Sequence, residues 1–178
     1  MRHYLSVFII LNKYKLKLEG ENVMSKIEKR LEELGIKLPN APEAMASYVV
    51  VQKVDNILYF SGASPMKDGK PTMQGILGRD FTIEEGYDGA RQAGLLLLSQ
   101  LKKAVGDLDN VEQIVKLFGI VASSNDFFEH PAVINGASEL FVEVFGEKGK
   151  HARSAIGTSV LPWNLPLEVE MIVKIKGN

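Results

Sequence analysis

The segment from residue 167 to residue 175 constrains the fold more than any other, because apolar and polar side chains alternate through it. The two alternating sets are Leu167, Val169, Met171, Val173 and Ile175 on one side, and Glu168, Glu170, Ile172 and Lys174 on the other. Successive side chains of a β-strand point to opposite faces, so this period of two predicts a strand with one buried face. Such a strand requires a sheet that packs against a second layer.

The remaining segments supply the other parts of an α+β domain. Apolar residues at helical spacing predict a long helix over residues 82–105, opened by a capping box of Thr82 and Glu85. Two more helices are predicted over 25–34 and 131–145, and strands over 48–54, 57–60, 111–121 and 154–161. This order predicts a mixed sheet with helices packed on one face. We expect another subunit to cover the opposite face.

The composition excludes several classes of protein. The chain has 178 residues, enough for one domain with its own core, and it contains no cysteine. A disulfide scaffold, thiol catalysis, an iron–sulfur cluster and a cysteine-based zinc site are therefore excluded. Lys and Arg number 21 against 22 Asp and Glu, which gives a net charge of -1 and argues against nucleic acid as a partner.

The N-terminal residues require a separate interpretation. Residues 4–11 form an apolar run that is too short to span a bilayer, which takes about 20 residues. No small-residue cleavage site follows this run, so it does not fit a signal peptide. An amphipathic helix opens only after Met24. We therefore expect residues 1–23 to form an extension outside the core, residues 24–178 to form a single domain, and the protein to be cytoplasmic with no membrane partner.

Most sequence motifs of catalysis are absent. His3, His130 and His151 lie far apart and lack the spacing of metal ligands, so each is expected to be solvated or locally bonded. The chain has no phosphate-binding glycine loop and no nucleophile elbow of a serine hydrolase. Trp163 stands between two prolines and is expected to be a packing residue.

Two charged residues near the C-terminus do indicate chemistry. Arg153 stands at the head of a predicted strand, where its planar guanidinium could hold a carboxylate through two parallel hydrogen bonds. Glu168 stands on the polar face of the neighbouring predicted strand and could orient or deprotonate a water molecule. From these residues alone, an ordinary surface Arg–Glu pair is the favoured interpretation, and the catalytic one is the alternative.

The pattern around these two residues resembles the YjgF/RidA family, also called the endoribonuclease L-PSP or translation-initiation-inhibitor family. Its anchors in this chain are Ala41-Pro42, Tyr48, Ser61-Gly62, residues 115–121, Asn135, Ala152-Arg153-Ser154, Leu161-Pro162 and Glu168-Val169-Glu170. The spacing of Arg153, Pro162 and Glu168 agrees with the family pattern. Residues 81–87 and 135–140 are similar to a longer-chain branch of the family.

The resemblance implies a chorismate-mutase-like α+β fold and a homotrimer with clefts between its subunits. Well-studied members hydrolyse reactive enamines and imines, such as 2-aminoacrylate, to 2-keto acids and ammonia without a metal or cofactor. By this resemblance, Arg153 binds the carboxylate of a small metabolite and Glu168 orients the catalytic water. Four further residues match pocket positions of the family, namely Tyr48, Ser61, Gly62 and Asn135.

Two departures from the family pattern keep other functions open. Ala63 stands where a pocket glutamine is common, and Ala155 stands where cysteine is frequent. A trimer that binds a keto acid or an amino acid through Arg153 without turnover is the first alternative. An RNA-acting protein is the second, although the sequence offers no basic stripe with interleaved aromatic residues.

Overall fold

The computed structural model describes residues 25–41 and 47–177. The predicted extension over residues 1–23, together with Met24 and Pro42, lies outside these residues. The helices are α1 (Lys26–Glu33), α2 (Ile83–Val105) and α3 (His130–Phe145). The strands are β1 (Val51–Val54), β2 (Ile57–Phe60), β3 (Met66–Lys67), β4 (Lys70–Pro71), β5 (Val111–Ala122), β6 (Ala152–Thr158) and β7 (Leu167–Ile175).

Five strands form one sheet in the order β1-β2-β7-β5-β6. Neighbouring strands pair antiparallel except for β5 and β6, which run parallel. A parallel pair needs a crossover connection, and α3 lies in the segment between these two strands. The short strands β3 and β4 form a separate hairpin. The predicted α+β architecture, a mixed sheet with helices on one face, is confirmed.

The central strand β7 separates two unlike faces of the sheet. Its five apolar positions from Leu167 to Ile175 are all buried, on the side where α2 packs, and we call this side the helix face. Burying an aliphatic side chain of this size contributes roughly 2 kcal/mol to stability, so the alternation fixes which side turns inward. The four residues between them are only partly buried. They lie on the opposite side, which we call the open face.

The long helix α2 begins with the predicted capping box and packs along α3. Thr82 Oγ1 accepts a bond from the Glu85 backbone N–H at 3.2 Å, and the Glu85 carboxylate accepts one from the Thr82 N–H at 2.9 Å. Gly136 of α3 lets the two helices approach, because a Cβ there would overlap with the carbonyl oxygen of Tyr87. Among the described helices, α2 included, none is long and apolar enough to cross a membrane.

The open face exposes apolar side chains among its charged ones. Val54, Tyr59 and Ile156 belong to this face by their strand register, and each is about half exposed. Phe118 and Ile120 of β5 lie between them and are partly exposed. Exposed apolar patches of this kind mark association surfaces. The open face is therefore still the place where contact with another subunit is predicted.

Several local features differ from the sequence predictions. β1 begins at Val51 rather than at residue 48, and β6 spans residues 152–158 rather than 154–161. The hairpin of β3 and β4 occupies a stretch for which the sequence predicts no strand. Trp163 is 52% exposed, so the prediction that it packs is wrong. It lies in a surface turn with a φ of 57°, and the Gln74 amide donates to its carbonyl oxygen at 2.9 Å.

Candidate functional site

Arg153 lies on the helix face, near the start of β6. It pairs with Leu117 of β5, which is buried. Its side chain reaches α3, where Nη1 donates to Asn135 Oδ1 at 2.7 Å and to Ser138 Oγ at 3.1 Å. Asn135 and Ser138 are three residues apart on α3, so they share one side of the helix. The structure thus brings together two predicted site residues, Arg153 and Asn135.

These two bonds determine which edge of the guanidinium remains for a ligand. Nη1 carries two hydrogens, and Asn135 and Ser138 use both of them. Among residues 25–41 and 47–177, none accepts a hydrogen bond from Nε or Nη2 of Arg153. These two nitrogens share one edge of the planar group and can donate two parallel bonds to one carboxylate. Arg153 therefore presents a prepared carboxylate-binding edge.

His151 extends the network behind Arg153. Its Nδ1 lies 2.7 Å from the Gly149 carbonyl oxygen, which can only accept, so Nδ1 carries a proton. Its Nε2 lies 3.0 Å from Ser138 Oγ. Burial lowers the pKa of His151, and the positive charge of Arg153 lowers it further against the opposing effect of the Gly149 bond. His151 is therefore neutral at neutral pH, and the Ser138 hydroxyl donates to its Nε2.

Glu168 lies on the open face, near the start of β7. It pairs with Ile120 of β5, and its carboxyl group packs against Gly62, just beyond the end of β2. Glycine is needed there, because a Cβ would overlap with the Glu168 side chain. Burial raises the pKa of the Glu168 carboxyl, and the charge of Glu170 raises it further. A raised pKa makes the carboxylate a better proton acceptor, which suits a residue that acts on water.

Ser61 precedes Gly62 and is bonded to the segment that follows Tyr48. The Ser61 backbone N–H donates to the Val50 carbonyl at 2.9 Å, and the Ser61 hydroxyl donates to the Val49 carbonyl at 2.8 Å. These bonds extend the pairing of β1 and β2 by one step beyond the strands. Tyr48, the residue before Val49, is exposed. We call Arg153, Asn135, Ser138 and His151 the arginine half-site, and Glu168, Gly62, Ser61 and Tyr48 the glutamate half-site.

The structure separates Arg153 from Glu168 within one chain. The sequence placed them on neighbouring strands, and that prediction is wrong, because β5 lies between β6 and β7. Their partners on β5, Leu117 and Ile120, are an odd number of residues apart, so the two side chains point to opposite faces. Two strand spacings and this offset put the two Cα atoms about 14 Å apart. One small substrate cannot contact both residues of the same chain.

The open face also contains a cavity of about 280 Å³. Ser61 lines it together with Tyr59, Phe118 and Glu170, whereas neither Arg153 nor Glu168 does. The cavity lies on the face that is predicted to contact another subunit. Its position therefore sets it apart from the arginine half-site.

The histidines that the structure describes are locally bonded, as predicted. His130 Nε2 lies 3.0 Å from Ser123 Oγ, and His151 bonds to Gly149 and Ser138. His3 lies outside the described residues. Within the described ranges, no three histidine or acidic side chains cluster as metal ligands would.

Sequence reasoning missed Ser138 and His151 as members of the arginine half-site. Two signals could have found them. Ser138 follows Asn135 by three residues, the spacing that puts two side chains on one side of a helix. His151 precedes Arg153 by two residues, the spacing that puts two side chains on one side of an extended chain.

Comparisons with known proteins agree with the fold. Residues 28–174 match the family described as "YjgF/chorismate mutase-like, putative endoribonuclease", and this range includes every predicted site residue from Tyr48 to Glu168. Protein TCP17 of Trypanosoma cruzi is similar to this chain, with 41% identity over 151 residues. The match covers 84% of this chain and 94% of that protein.

Two solved structures are also similar. Atu1372 of Agrobacterium tumefaciens, a protein of unknown function, is 43% identical with a TM-score of 0.78, over 84% of this chain and 92% of that one. A "putative endoribonuclease" from Shewanella oneidensis is 36% identical with a TM-score of 0.81, over 85% of this chain and 100% of that one. Likeness in both sequence and fold thus extends over most of each chain.

Proposed function

The chain belongs to the YjgF/chorismate mutase-like family, and on this premise we propose that it forms a homotrimer that hydrolyses small enamines and imines bearing a carboxylate. The substrates are of the 2-aminoacrylate type, and the products are 2-keto acids and ammonia. Residues 24–178 form the domain that acts. The observation that carries the proposal is the unfilled Nε–Nη2 edge of Arg153, held from behind by Asn135 and Ser138.

Arg153 supplies the recognition of the substrate. Two parallel, charge-assisted bonds fix both the position and the plane of a carboxylate, and each is worth about 1.5–3 kcal/mol. Asn135 keeps the guanidinium in the plane that these bonds require. The imine carbon next to that carboxylate is then held at a fixed point relative to the protein.

The separation of Arg153 from Glu168 supports a site built between subunits. Because one chain directs these two side chains to opposite faces of its sheet, a complete site takes Arg153 from one subunit and Glu168 from the next. The exposed apolar side chains of the open face, such as Tyr59 and Ile156, favour contact with another copy. Closed cyclic symmetry of three subunits repeats the same contact three times and gives three equivalent clefts.

The protein can catalyse the chemical step mainly by positioning the substrate and a water molecule. An enamine first takes a proton on its terminal carbon and becomes the protonated imine (iminium ion). Water then attacks the iminium carbon as Glu168 accepts a water proton, and the electron pair of the C=N bond moves to nitrogen. Glu168 next passes that proton to nitrogen, the C–N bond breaks and ammonia leaves, while the hydroxyl group of the adduct loses its proton to solvent and becomes the keto group. Holding water and substrate in this geometry can lower the barrier by several kcal/mol. Gly62 packs against Glu168, and we propose that Tyr48 and Ser61 complete the wall of the pocket beside it.

A trimer that binds a small keto acid or amino acid without turnover is the second candidate. Ala63 is the observation that favours it. This residue is buried and meets Val169 through two backbone hydrogen bonds. The alanine offers no side-chain amide to a ligand, whereas the glutamine that is common in the family could hold one.

The test of hydrolysis measures ammonia and keto-acid release from freshly generated 2-aminoacrylate and 2-iminobutyrate. We expect the wild type to accelerate release over buffer and Arg153→Ala to lose about 100-fold of that rate, because the carboxylate is no longer held. Arg79→Ala is the matched control, since Arg79 is an exposed arginine that pairs with Asp80. No acceleration by the wild type, combined with Arg153-dependent binding of 2-oxobutyrate, would favour the binding protein. Cleavage of single-stranded RNA in the same preparations would favour an RNA-acting protein.

The test of the intersubunit site mixes two inactive variants. Arg153→Ala and Glu168→Gln subunits are unfolded together, refolded and assayed, with each variant refolded alone as the control. In random trimers, about a quarter of the sites combine an intact Arg153 with an intact Glu168, so about a quarter of the wild-type rate should return. A mixture that stays inactive, or a stable monomer of 19.7 kDa in sedimentation, would contradict the trimer.

A further inference from the structure

Ser138 and His151 lie behind the carboxylate-binding edge of Arg153 and are joined to it through one hydroxyl group. The Ser138 oxygen is 3.1 Å from Arg153 Nη1 and 3.0 Å from His151 Nε2. The Gly149 carbonyl holds the far side of the imidazole at 2.7 Å. The chain of hydrogen bonds thus runs from Arg153 through Ser138 and His151 to Gly149, and each of its polar atoms has a partner.

The proton positions follow from those roles. Since Gly149 can only accept, the neutral His151 carries its proton on Nδ1 and accepts at Nε2. Ser138 must then donate its hydrogen to His151, and its lone pair accepts from Arg153. The orientation of the Ser138 hydroxyl is therefore set by His151, and the orientation of the guanidinium is set in turn by Ser138 and Asn135.

We propose that Ser138 and His151 are positioning residues for Arg153, and that a proton taken up by His151 strengthens carboxylate binding at the guanidinium. This inference rests on the proposed role of Arg153 as the residue that binds the substrate carboxylate. It adds a pH-dependent control of that binding, exerted by two residues behind Arg153.

The direction of the effect follows from charge and from the hydroxyl group. Protonated His151 donates from Nε2 to the Ser138 oxygen, so the Ser138 hydrogen is released and can donate to a ligand beside Arg153. Protonation also puts two cations next to each other, and a bound carboxylate relieves their repulsion. By linkage, a carboxylate that favours protonated His151 is itself bound more tightly when His151 is protonated.

The groups that surround His151 are uncharged apart from Arg153, among the described residues that face it. From α3 it faces the Ser138 hydroxyl and the ring of Phe141, whose centroid is 6.4 Å away, and from the turn before β6 it faces the Gly149 carbonyl. Among the described residues, Arg153 is the one whose charge contributes to the lowered pKa of His151. The change in affinity is therefore expected on the acid side of 6.5, the ordinary value for histidine.

A second serine–histidine pair in the same chain provides a matched control. Ser123 Oγ and His130 Nε2 are also 3.0 Å apart, and His130 is the first residue of the same helix, α3. No hydrogen bond joins this second pair to Arg153 among the described residues. Substitutions there should leave carboxylate affinity and its pH dependence unchanged.

The experiment measures the Kd of 2-oxobutyrate by calorimetry between about pH 5 and pH 8, the range in which histidine titrates. For the wild type, we expect the Kd to fall about fivefold on acidification. Ser138→Ala should raise the Kd about fivefold, and Ser138→Thr, which keeps the hydroxyl, should restore it. His151→Gln should bind with a Kd that is independent of pH. Ser123→Ala and His130→Gln should behave as the wild type.

A second measurement needs no variant and therefore no assumption about folding. The His151 imidazole is titrated by NMR in the wild type, with and without saturating 2-oxobutyrate, and its pKa should rise when the ligand is bound. An unchanged pKa, equal binding by wild type and His151→Gln at every pH, or no binding by the wild type would each overturn the inference. Binding that follows the predicted pH dependence without any imine turnover would support the inference while the proposed hydrolysis fails.

Discussion

The two half-sites differ in how completely one chain builds them. In the arginine half-site, two residues of α3 hold Arg153 at 2.7 and 3.1 Å, and His151 fixes one of those two residues. In the glutamate half-site, Glu168 is placed by its packing against Gly62, and the Ser61 hydroxyl is occupied by the backbone. The group that is proposed to recognise the substrate is thus preorganised within the chain. In the proposed trimer, the group that acts on water is completed by contact with another subunit.

The two half-sites also place titratable groups under opposite electrostatic conditions. His151 is buried beside a positive charge, which disfavours its protonated form. Glu168 is buried beside a negative charge, which disfavours its ionised form. Each half-site therefore favours the neutral state of its titratable group. Acidification makes the contribution of His151 to stability less favourable and that of Glu168 more favourable.

The largest predicted effect is the loss of stability when a methyl group is added to a glycine beside the arginine half-site. Gly136→Ala, next to Asn135, brings a Cβ into the backbone carbonyl of Tyr87, and neither helix can move away without repacking. We expect a loss of about 3 kcal/mol in the free energy of unfolding, measured by urea denaturation. Gly177→Ala is the control, because no atom lies within 4 Å of that position. Equal stability of the two variants would show that the α2–α3 contact is adaptable.

The same substitution in the glutamate half-site should affect activity rather than stability. In Gly62→Ala, the new Cβ meets the side chain of Glu168, which can rotate away. We expect a stability loss below about 1 kcal/mol, but a fall of about 100-fold in kcat for imine hydrolysis, because the carboxylate leaves its position. Unchanged kcat would argue that the position of Glu168 does not matter for the reaction.

A smaller effect concerns His151 and acid stability. Well above pH 6.5 His151 is neutral in both states and contributes nothing to the pH dependence. Below that value the unfolded chain takes up a proton that the folded protein resists, so stability falls as pH falls. The loss should reach about 1 kcal/mol at most, because water still screens part of the ring. The test measures the free energy of unfolding of the wild type and of His151→Gln at several pH values. If the free energies of the two proteins change with pH in parallel, the prediction is contradicted.

The smallest predicted effect has the opposite sign and concerns Glu168. Its folded pKa is raised above 4.5, so its protonated form favours the folded state, and this contribution is lost as pH rises through the folded value. Glu168→Gln should therefore be slightly more stable than the wild type at neutral pH and equal to it in acid. We expect a difference below about 1 kcal/mol, because water reaches part of the carboxylate. A variant that is less stable at neutral pH would indicate that ionised Glu168 has a stabilising partner.

Elements defined by local periodicity could be predicted well. Strand β7 has the bounds that its alternation indicates, and α2 has the capping box that Thr82 and Glu85 indicate. Both signals reside within one segment, so no distant residue is needed to interpret them. The start of β1 was predicted less well, because a strand ends where its partner stops pairing. Trp163 was expected to pack because it stands between two prolines, although the turn between β6 and β7 holds it at the surface.

The sequence by itself determined the types of the main elements, the family resemblance and the candidate site residues, among them Arg153 and Glu168. Only the tertiary structure decided that β5 separates their strands and that their side chains point to opposite faces. It also brought Ser138 and His151 to Arg153. The physical reason is that alternation along a strand is a local property of the chain. Which strand lies beside which, and in what register, is set by hydrogen bonds and packing between residues far apart in sequence.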